Sequence, residues 1–537
     1  MTIARLAAFS ALLLSSAAAA QGAAPPPKLV VAISVDQLSS DLFDQYRPYF
    51  TGGLKRLSEG AVFANGYQSH AATETCPGHS TLLTGARPSR TGIIANTWFD
   101  QSAPRDDKAV YCAEDERVAG SSSKDYTVST YHLKVPALGD YMKRADPRSR
   151  VAVASGKDRS AVMMGGYGPD QRWWWSGKGF VGEGKPGPAA SVAAVNKAVA
   201  AAIAQPRPAL ELPAPCVTKS RPIALPGGKV VGDGRFARAA GNAAAFRASP
   251  ELDGATLALA AALRQEMRLG EGPATDLLVI GAAATDYVGH SLGTQGSEMC
   301  LQLLSLDRDL GDFFGRLDAA GVDYAVVLSS DHGGQDLPER IGAPARRVDP
   351  ALHAVAMGKT LSARLGLVGP VLLGDGPFGD IYVDRNLAPA DKARALAEAV
   401  KTYRGHPDVA AVFTAEELRK APQPQGAPDK WTLRDRAKAS FHPGRSGDFV
   451  VLLKEGVSPL ADTSRGSVAT HGSPWDYDRR VPILFWRKGL APVDQKQAVE
   501  TVDILPTVAS TIGLTLPATG IDGRCLDVVA GAGTNCR

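Results

Sequence analysis

The chain has 537 residues, of which 44% are hydrophobic and 21% charged, and a formal net charge of +4. This length accommodates a large core and more than one structural unit, or one enlarged α/β domain. The small positive excess is dispersed, so charge gives no case for a nucleic-acid surface.

Residues 1–20, MTIARLAAFSALLLSSAAAA, join Arg5 to an apolar run from Leu6 to Leu14 and small residues up to Ala20. This is the form of a secretory signal peptide, with cleavage expected after Ala20. Downstream there is no run of about 20 apolar residues, the length a membrane span needs. The mature protein, residues 21–537, is therefore expected to be soluble and exported, to the periplasm or beyond the cell.

LVVAISV at 29–35 reads as a buried parallel strand, with Asp36 directly after it. In TETCPGHSTLLTG, residues 73–85, Pro77 suits a first helical turn, while Leu82 and Leu83 suit a helix under way. Thr75 then falls near a helix N-terminus. Alone it reads as an ordinary threonine cap, although free N–H groups and the helix dipole also favour an anion there. VAVAS at 151–155 is the next strand, followed by Gly156-Lys157-Asp158-Arg159.

Residues 166–250 are rich in Gly, Pro and Ala and read as an insertion capping the sheet. Within them, Trp173, Trp174 and Trp175 read as packing or lid structure rather than a substrate entrance, and the Ala-rich run 189–204 reads as a helix. A helical pattern from Ala261 leads to the strand DLLVIGAA at 276–283, and Asp286 and His290 follow four residues apart. In a helical turn that spacing puts both on one side. A longer helix from Leu301 to Gly321 precedes YAVVLSS at 324–330, which ends at Asp331 and His332. Residues 346–455 form the second expected cap. His471 follows in ATHG, and VPILFW at 481–486 reads as a further parallel strand. Alternating strands and helices predict an α/β/α sandwich around a mainly parallel, doubly wound sheet. The ligand site of such a sheet lies outside the C-terminal ends of its strands.

Six cysteines and no CxxC pair suggest disulfides in an exported chain rather than a cysteine zinc site. Sequence alone does not give the pairing; Cys525–Cys536, Cys216–Cys300 and Cys76–Cys112 is one arrangement among those open.

Polar residues follow the strands at the edge where a ligand should bind. Any one Asp-His pair reads as a cap or a hydrogen bond. Together, Asp36, Asp286, Asp331, His290, His332 and His471 offer three carboxylates and three imidazoles, a set that suits two zinc ions better than Mg²⁺ or Ca²⁺. Two such ions about 3.5 to 4 Å apart clamp the entering and leaving oxygens of a displacement at phosphorus. A threonine hydroxyl coordinated to zinc becomes a competent nucleophile, so Thr75 can attack and form a phosphothreonine. Lys157 and Arg159 would neutralise phosphoryl oxygens, and Asn96 would donate a further hydrogen bond.

SVDQ around Asp36, TETCPGH around Thr75, ANTWFD around Asn96, GKDRSA around Lys157 and Arg159, TDYVGH, SSDHGG and ATHG form a specific set. With them the chain resembles the alkaline phosphatase superfamily, and within it the phosphate-irrepressible periplasmic alkaline phosphatases with a threonine nucleophile. The resemblance implies one zinc on Asp286, His290 and His471, and another on Asp36, Thr75, Asp331 and His332. It also implies phosphate contacts from Asn96, Lys157 and Arg159, and hydrolysis of small phosphate monoesters. Nucleotide pyrophosphatases and phosphodiesterases are similar in these motifs, so diester hydrolysis is the alternative. The Lys-x-Arg pair favours the monoester, whose dianionic group has one more charged oxygen. Sulfatases place a modifiable Cys or Ser where Thr75 stands. A non-catalytic zinc-dependent binding protein would lack a ligand or the nucleophile, and none is missing. His79 and Glu74 are expected to support the helix start rather than bind metal.

Overall fold

The computed structural model describes residues 25–183, 189–464, 466–529 and 534–536; the expected signal peptide, 1–20, lies outside the described residues. The central sheet has ten strands: β1 (Leu29–Val35), β2 (Ala61–Tyr67), β3 (Val151–Ser155), β4 (Gln171–Trp175), β5 (Phe180–Gly182), β6 (Asp276–Ala282), β7 (Tyr324–Ser329), β8 (Arg480–Arg487), β9 (Val493–Gln495) and β10 (Val499–Glu500). Their order is β9-β2-β8-β7-β1-β6-β3-β4-β5, with β10 also paired to β2. The run β7-β1-β6-β3-β4 is parallel throughout.

Period-2 alternation explains why both faces of this sheet are covered. Leu29, Val31, Ile33 and Val35 of β1 enter one apolar core, while Val30 and Ala32 enter the other. The first core is closed by helices α3 (Pro250–Met267) and α5 (Ser297–Ala319), through residues such as Leu259, Leu263, Leu303 and Leu310. The second is closed by α2 (Asp158–Gly165) and by the helices Leu138–Ala145 and Ile504–Thr511, through Met164, Met142 and Leu505. Registers of Leu29 with Asp276 and with Tyr324 bring the ends of β1, β6 and β7 level. Asp36, Asp331 and the helix after β6, α4 (Ala284–Leu292), consequently emerge at one edge.

Two expectations are corrected. The strand containing VPILFW, β8, runs antiparallel to β7, because an apolar run buried on both faces carries no sign of its direction. Residues 171–182 of the first expected cap lengthen the main sheet as β4 and β5, and Trp173, Trp174 and Trp175, buried in β4, are packing residues as expected. Large rings on the flank of a sheet bury against the neighbouring layer, where Trp175 packs on Phe180 and Phe246. Residues 354–453 contain a second, antiparallel sheet ordered Leu372–Leu373, Gly379–Val383, Phe449–Leu453 and Val409–Thr414, with its own apolar core. The disulfides are Cys76–Cys112, Cys216–Cys300 and Cys525–Cys536.

One buried carboxylate ties α5 to the segment behind β1. Asp307 accepts the N–H groups of Thr51 and Gly52 at 2.7 Å, Leu54 at 2.8 Å and Lys55 at 3.1 Å. Asp307→Ala leaves these donors without their acceptor and is expected to cost about 3 kcal/mol. A chemical-denaturation midpoint should register the loss, with kcat of the folded fraction unchanged.

Candidate active site

Thr75 opens helix α1 (Thr75–Leu82) and is buried; Glu74, with extended backbone, precedes it as the cap residue. Thr75 is thus the first helical residue and not the N-cap. Gly78 allows α1 to lie against the turn after β7, since a Cβ there would stand 2.0 Å from the Asp331 carbonyl oxygen. That approach carries His79 to Asp331: Nδ1 lies 2.9 Å from the Thr75 carbonyl oxygen and 3.1 Å from Asp331 Oδ2. His79 supports the helix start as expected, and also faces a site carboxylate that its sequence position did not reveal. Glu74 accepts the Asn96 N–H at 2.7 Å, and Asn96 in turn accepts the Cys76 N–H through Oδ1 at 2.8 Å.

Arg159, one residue into α2, brings Nη2 to 3.5 Å from Thr75 Oγ1. Its Nη1 donates to Tyr111 Oη at 3.4 Å, while the Tyr111 and Tyr126 hydroxyls donate to Asp158 at 2.9 and 2.8 Å. Because Cys112 is bonded to Cys76, the strand bearing Tyr111 is anchored to the first turn of α1. The fork of Arg159 and the hydroxyl of Thr75 are therefore fixed by one connected set of residues. Neither tyrosine carries a motif that sequence reading would notice.

The acidic and imidazole residues converge as well. Lys157 Nζ lies 2.8 Å from Asp36 Oδ2 and 2.5 Å from Asp286 Oδ2, buried between the two carboxylates. On α4, His290 Nε2 lies 3.2 Å from Asp286 Oδ1, and His471 Nε2 approaches the same oxygen at 3.5 Å. His332 Nε2 stands 3.2 Å from Asp331 Oδ2 and 3.6 Å from Asp36 Oδ1. Two compact donor groups result, Asp286-His332-His471 and Asp36-Asp331-His332, so His332 stands close to both. The ring of His332 stacks on that of His471 at 3.6 Å. Gly472, beside His471, leaves room for Phe378, the residue before the strand Gly379–Val383, since a Cβ on Gly472 would stand 3.0 Å from the Phe378 ring.

Tautomers show what this cluster can hold. The Nδ1 atoms of His290, His332 and His471 lie 2.8–2.9 Å from the carbonyl oxygens of Ala469, Gly333 and Thr73. A carbonyl only accepts, so each Nδ1 carries the hydrogen, and a neutral ring presents a bare lone pair at Nε2. Those lone pairs face carboxylate oxygens, an arrangement that repels unless a cation lies between them. Asp36 Oδ1 and His332 Nε2 are likewise buried without hydrogen-bond partners. Burial and the charge of Asp331 push Asp36 up to about 6 against the pull of Lys157. Burial opposes charge on His332, yet Asp331 and Asp36 overcome it and push the ring up to about 9, so with no metal ion between them a proton on Nε2 takes the cation's place. Burial, with His332 and His290 adjacent, drives His471 well below the usual histidine range, which keeps its Nε2 an acceptor. Nitrogen and oxygen donors in this arrangement fit a borderline divalent metal such as zinc.

Two supporting residues escaped the sequence reading. Gln37, directly after Asp36, donates its N–H to Asp331 Oδ1 at 3.1 Å and its amide Nε2 to Asp286 Oδ1 at 3.2 Å. Asp253 of α3 accepts the Ala284 N–H at 2.9 Å and Gln302 Nε2 at 2.8 Å, holding the start of α4. Both lie far in sequence from what they hold, so spacing offers no signal.

Residues 30–474 match the family described as type I phosphodiesterase / nucleotide pyrophosphatase. The chain is 56% identical to alkaline phosphatase PhoK of a Sphingomonas species over 517 residues, covering 95% of this chain and 92% of that protein. It is 46% identical to alkaline phosphatase PhoD of Zymomonas mobilis, covering 95% and 89%. The crystal structure of wild-type alkaline phosphatase PafA superposes with a TM-score of 0.81 at 27% identity, over 95% of this chain and all of that one.

Proposed function

The chain belongs to the type I phosphodiesterase / nucleotide pyrophosphatase family, and from that premise we propose that it is an exported, zinc-dependent alkaline phosphatase acting on phosphate monoesters through a phosphothreonine at Thr75. The observation that carries this reading is the Thr75 hydroxyl at the start of α1, 3.5 Å from the Arg159 guanidinium, on a helix whose Gly78 and His79 lie against Asp331 of one donor group. High identity to alkaline phosphatases over nearly the whole chain supports the reaction class.

Asp286, His290 and His471 would hold one zinc ion and Asp36, Thr75, Asp331 and His332 the other, and such ions would supply positive charge that acidifies the threonine hydroxyl and offsets phosphoryl charge. The chain's own residues do the rest. Thr75 points its oxygen from the positive end of a helix, where an anionic phosphoryl group is welcome. Arg159 offers its fork to the oxygens not bonded to the leaving group. Lys157, paired with Asp36 and Asp286, would offer its remaining charge to a phosphoryl oxygen. Asn96 spends Oδ1 on the Cys76 N–H, which frees Nδ2 to donate to a phosphoryl oxygen. Thr75 attacks phosphorus, its O–P bond forms as the bond to the leaving alcohol breaks, and water then displaces Thr75 to release phosphate.

Export is supported by the N-terminal segment and by the pairing of all six cysteines as disulfides. No helix among the described residues is long and apolar enough to cross a membrane. The competing reading, diester hydrolysis, is favoured by the description of the family matched. Comparing kcat/KM for an aryl phosphate monoester and the matching diester, with zinc-loaded protein at alkaline pH, separates them. A strong monoester preference is expected; a diester preference moves the chain to the phosphodiesterase side, and no turnover of either ester defeats the enzyme reading.

A further inference from the structure

Gln37 pays two local penalties that nothing in its own segment demands. It has φ +67°, the left-handed region that residues with a Cβ seldom occupy. Its Oε1 is also buried with no hydrogen-bond partner. Such costs persist where surrounding structure over-determines a residue, and they cluster at functional sites. Here the surroundings are explicit. The left-handed turn aims the backbone N–H at Asp331 Oδ1, 3.1 Å away, and sends the side chain to Asp286 Oδ1, 3.2 Å away. Gly289 on α4 makes room for it, since a Cβ there would stand 1.6 Å from Gln37 Oε1.

Gln37 therefore holds one carboxylate from each donor group, through two different donors of the same residue. Asp36, its chain neighbour, belongs to the Asp331 group as well. We infer that Gln37 is a positioning residue that sets the separation of the two ligand groups, and hence of the two metal ions. This rests on the two-zinc reading above. The two bonds are separable: the backbone donor survives any substitution that keeps the turn, whereas the amide donor belongs to glutamine alone. Losing the amide should loosen the Asp286 side and leave the Asp331 side intact.

Two variants distinguish that bond from backbone strain. Gln37→Met keeps the length and the strained φ but removes the donor; Gln37→Gly removes the donor and relaxes the strain. Zinc affinity is read by competition with a chromophoric chelator for the wild type and both variants, with thermal midpoints alongside. The inference expects wild type to bind two equivalents, and each variant to bind one of them about 10- to 100-fold more weakly, with the other unchanged. Gln37→Gly should match or exceed the wild-type midpoint, which shows that the weakening is not lost fold. Wild-type affinity for both equivalents in both variants overturns the inference and leaves the proposed function standing. A wild type that binds fewer than two equivalents overturns the two-zinc reading itself, and the inference with it.

Discussion

Thr75→Ala is expected to lower kcat/KM for a phosphate monoester at least about a thousandfold, because no other group replaces an attacking hydroxyl that forms the covalent intermediate. Alanine is a good helix former, and at the first position of α1 it removes only the hydroxyl and a methyl group from a buried site. The fold and the zinc content should therefore persist, since Asp36, Asp331, His332, Asp286, His290 and His471 all remain. Thr75→Ser restores a hydroxyl at the same place and should recover a large share of the rate. The measurement is steady-state kinetics with metal content determined on the same samples. Full activity in Thr75→Ala would remove the covalent step from the mechanism.

Arg159→Ala is expected to cost monoester turnover about a hundredfold in kcat/KM, close to 3 kcal/mol, as for other fixed donors to a developing charge. Diester turnover should fall by several-fold at most. A diester phosphoryl group carries one charge fewer, and one of its oxygens bears a substituent, so a two-pronged cation has less to hold. The Arg159 fork is held by Tyr111, whose hydroxyl is itself committed to Asp158, so the guanidinium is positioned before any substrate arrives. Equal losses for the two esters would return Arg159 to a purely structural role.

Much of the scaffold was legible in the sequence. LVVAISV, VAVAS, DLLVIGAA and YAVVLSS are strands of one parallel run, and the residues that follow them meet at its edge. Apolar β-branched runs with polar residues at their ends carry that information locally. Direction and layer are less visible. VPILFW has the composition of its parallel neighbours but runs against them, and the start of the segment 166–250, expected to cap the sheet, is part of it. At the site, the aspartates, the histidines, Thr75 and Arg159 stood out because their residue types carry chemistry. Gln37, Tyr111, Tyr126 and Asp253 did not, because each acts by a hydrogen bond to a residue distant in the chain. The contact of His79 with Asp331 depends on how closely α1 approaches the turn after β7, which spacing along TETCPGH does not encode.

The central claim is that phosphorus is attacked first by Thr75 and then by a second nucleophile. Stereochemistry at phosphorus tests this most directly. An isotopically chiral aryl phosphate monoester is turned over in the presence of an acceptor alcohol, and the configuration of the phosphorylated alcohol is determined. Two successive in-line displacements predict net retention. Net inversion would mean that the acceptor attacks the substrate directly, and would contradict a phosphothreonine intermediate at Thr75.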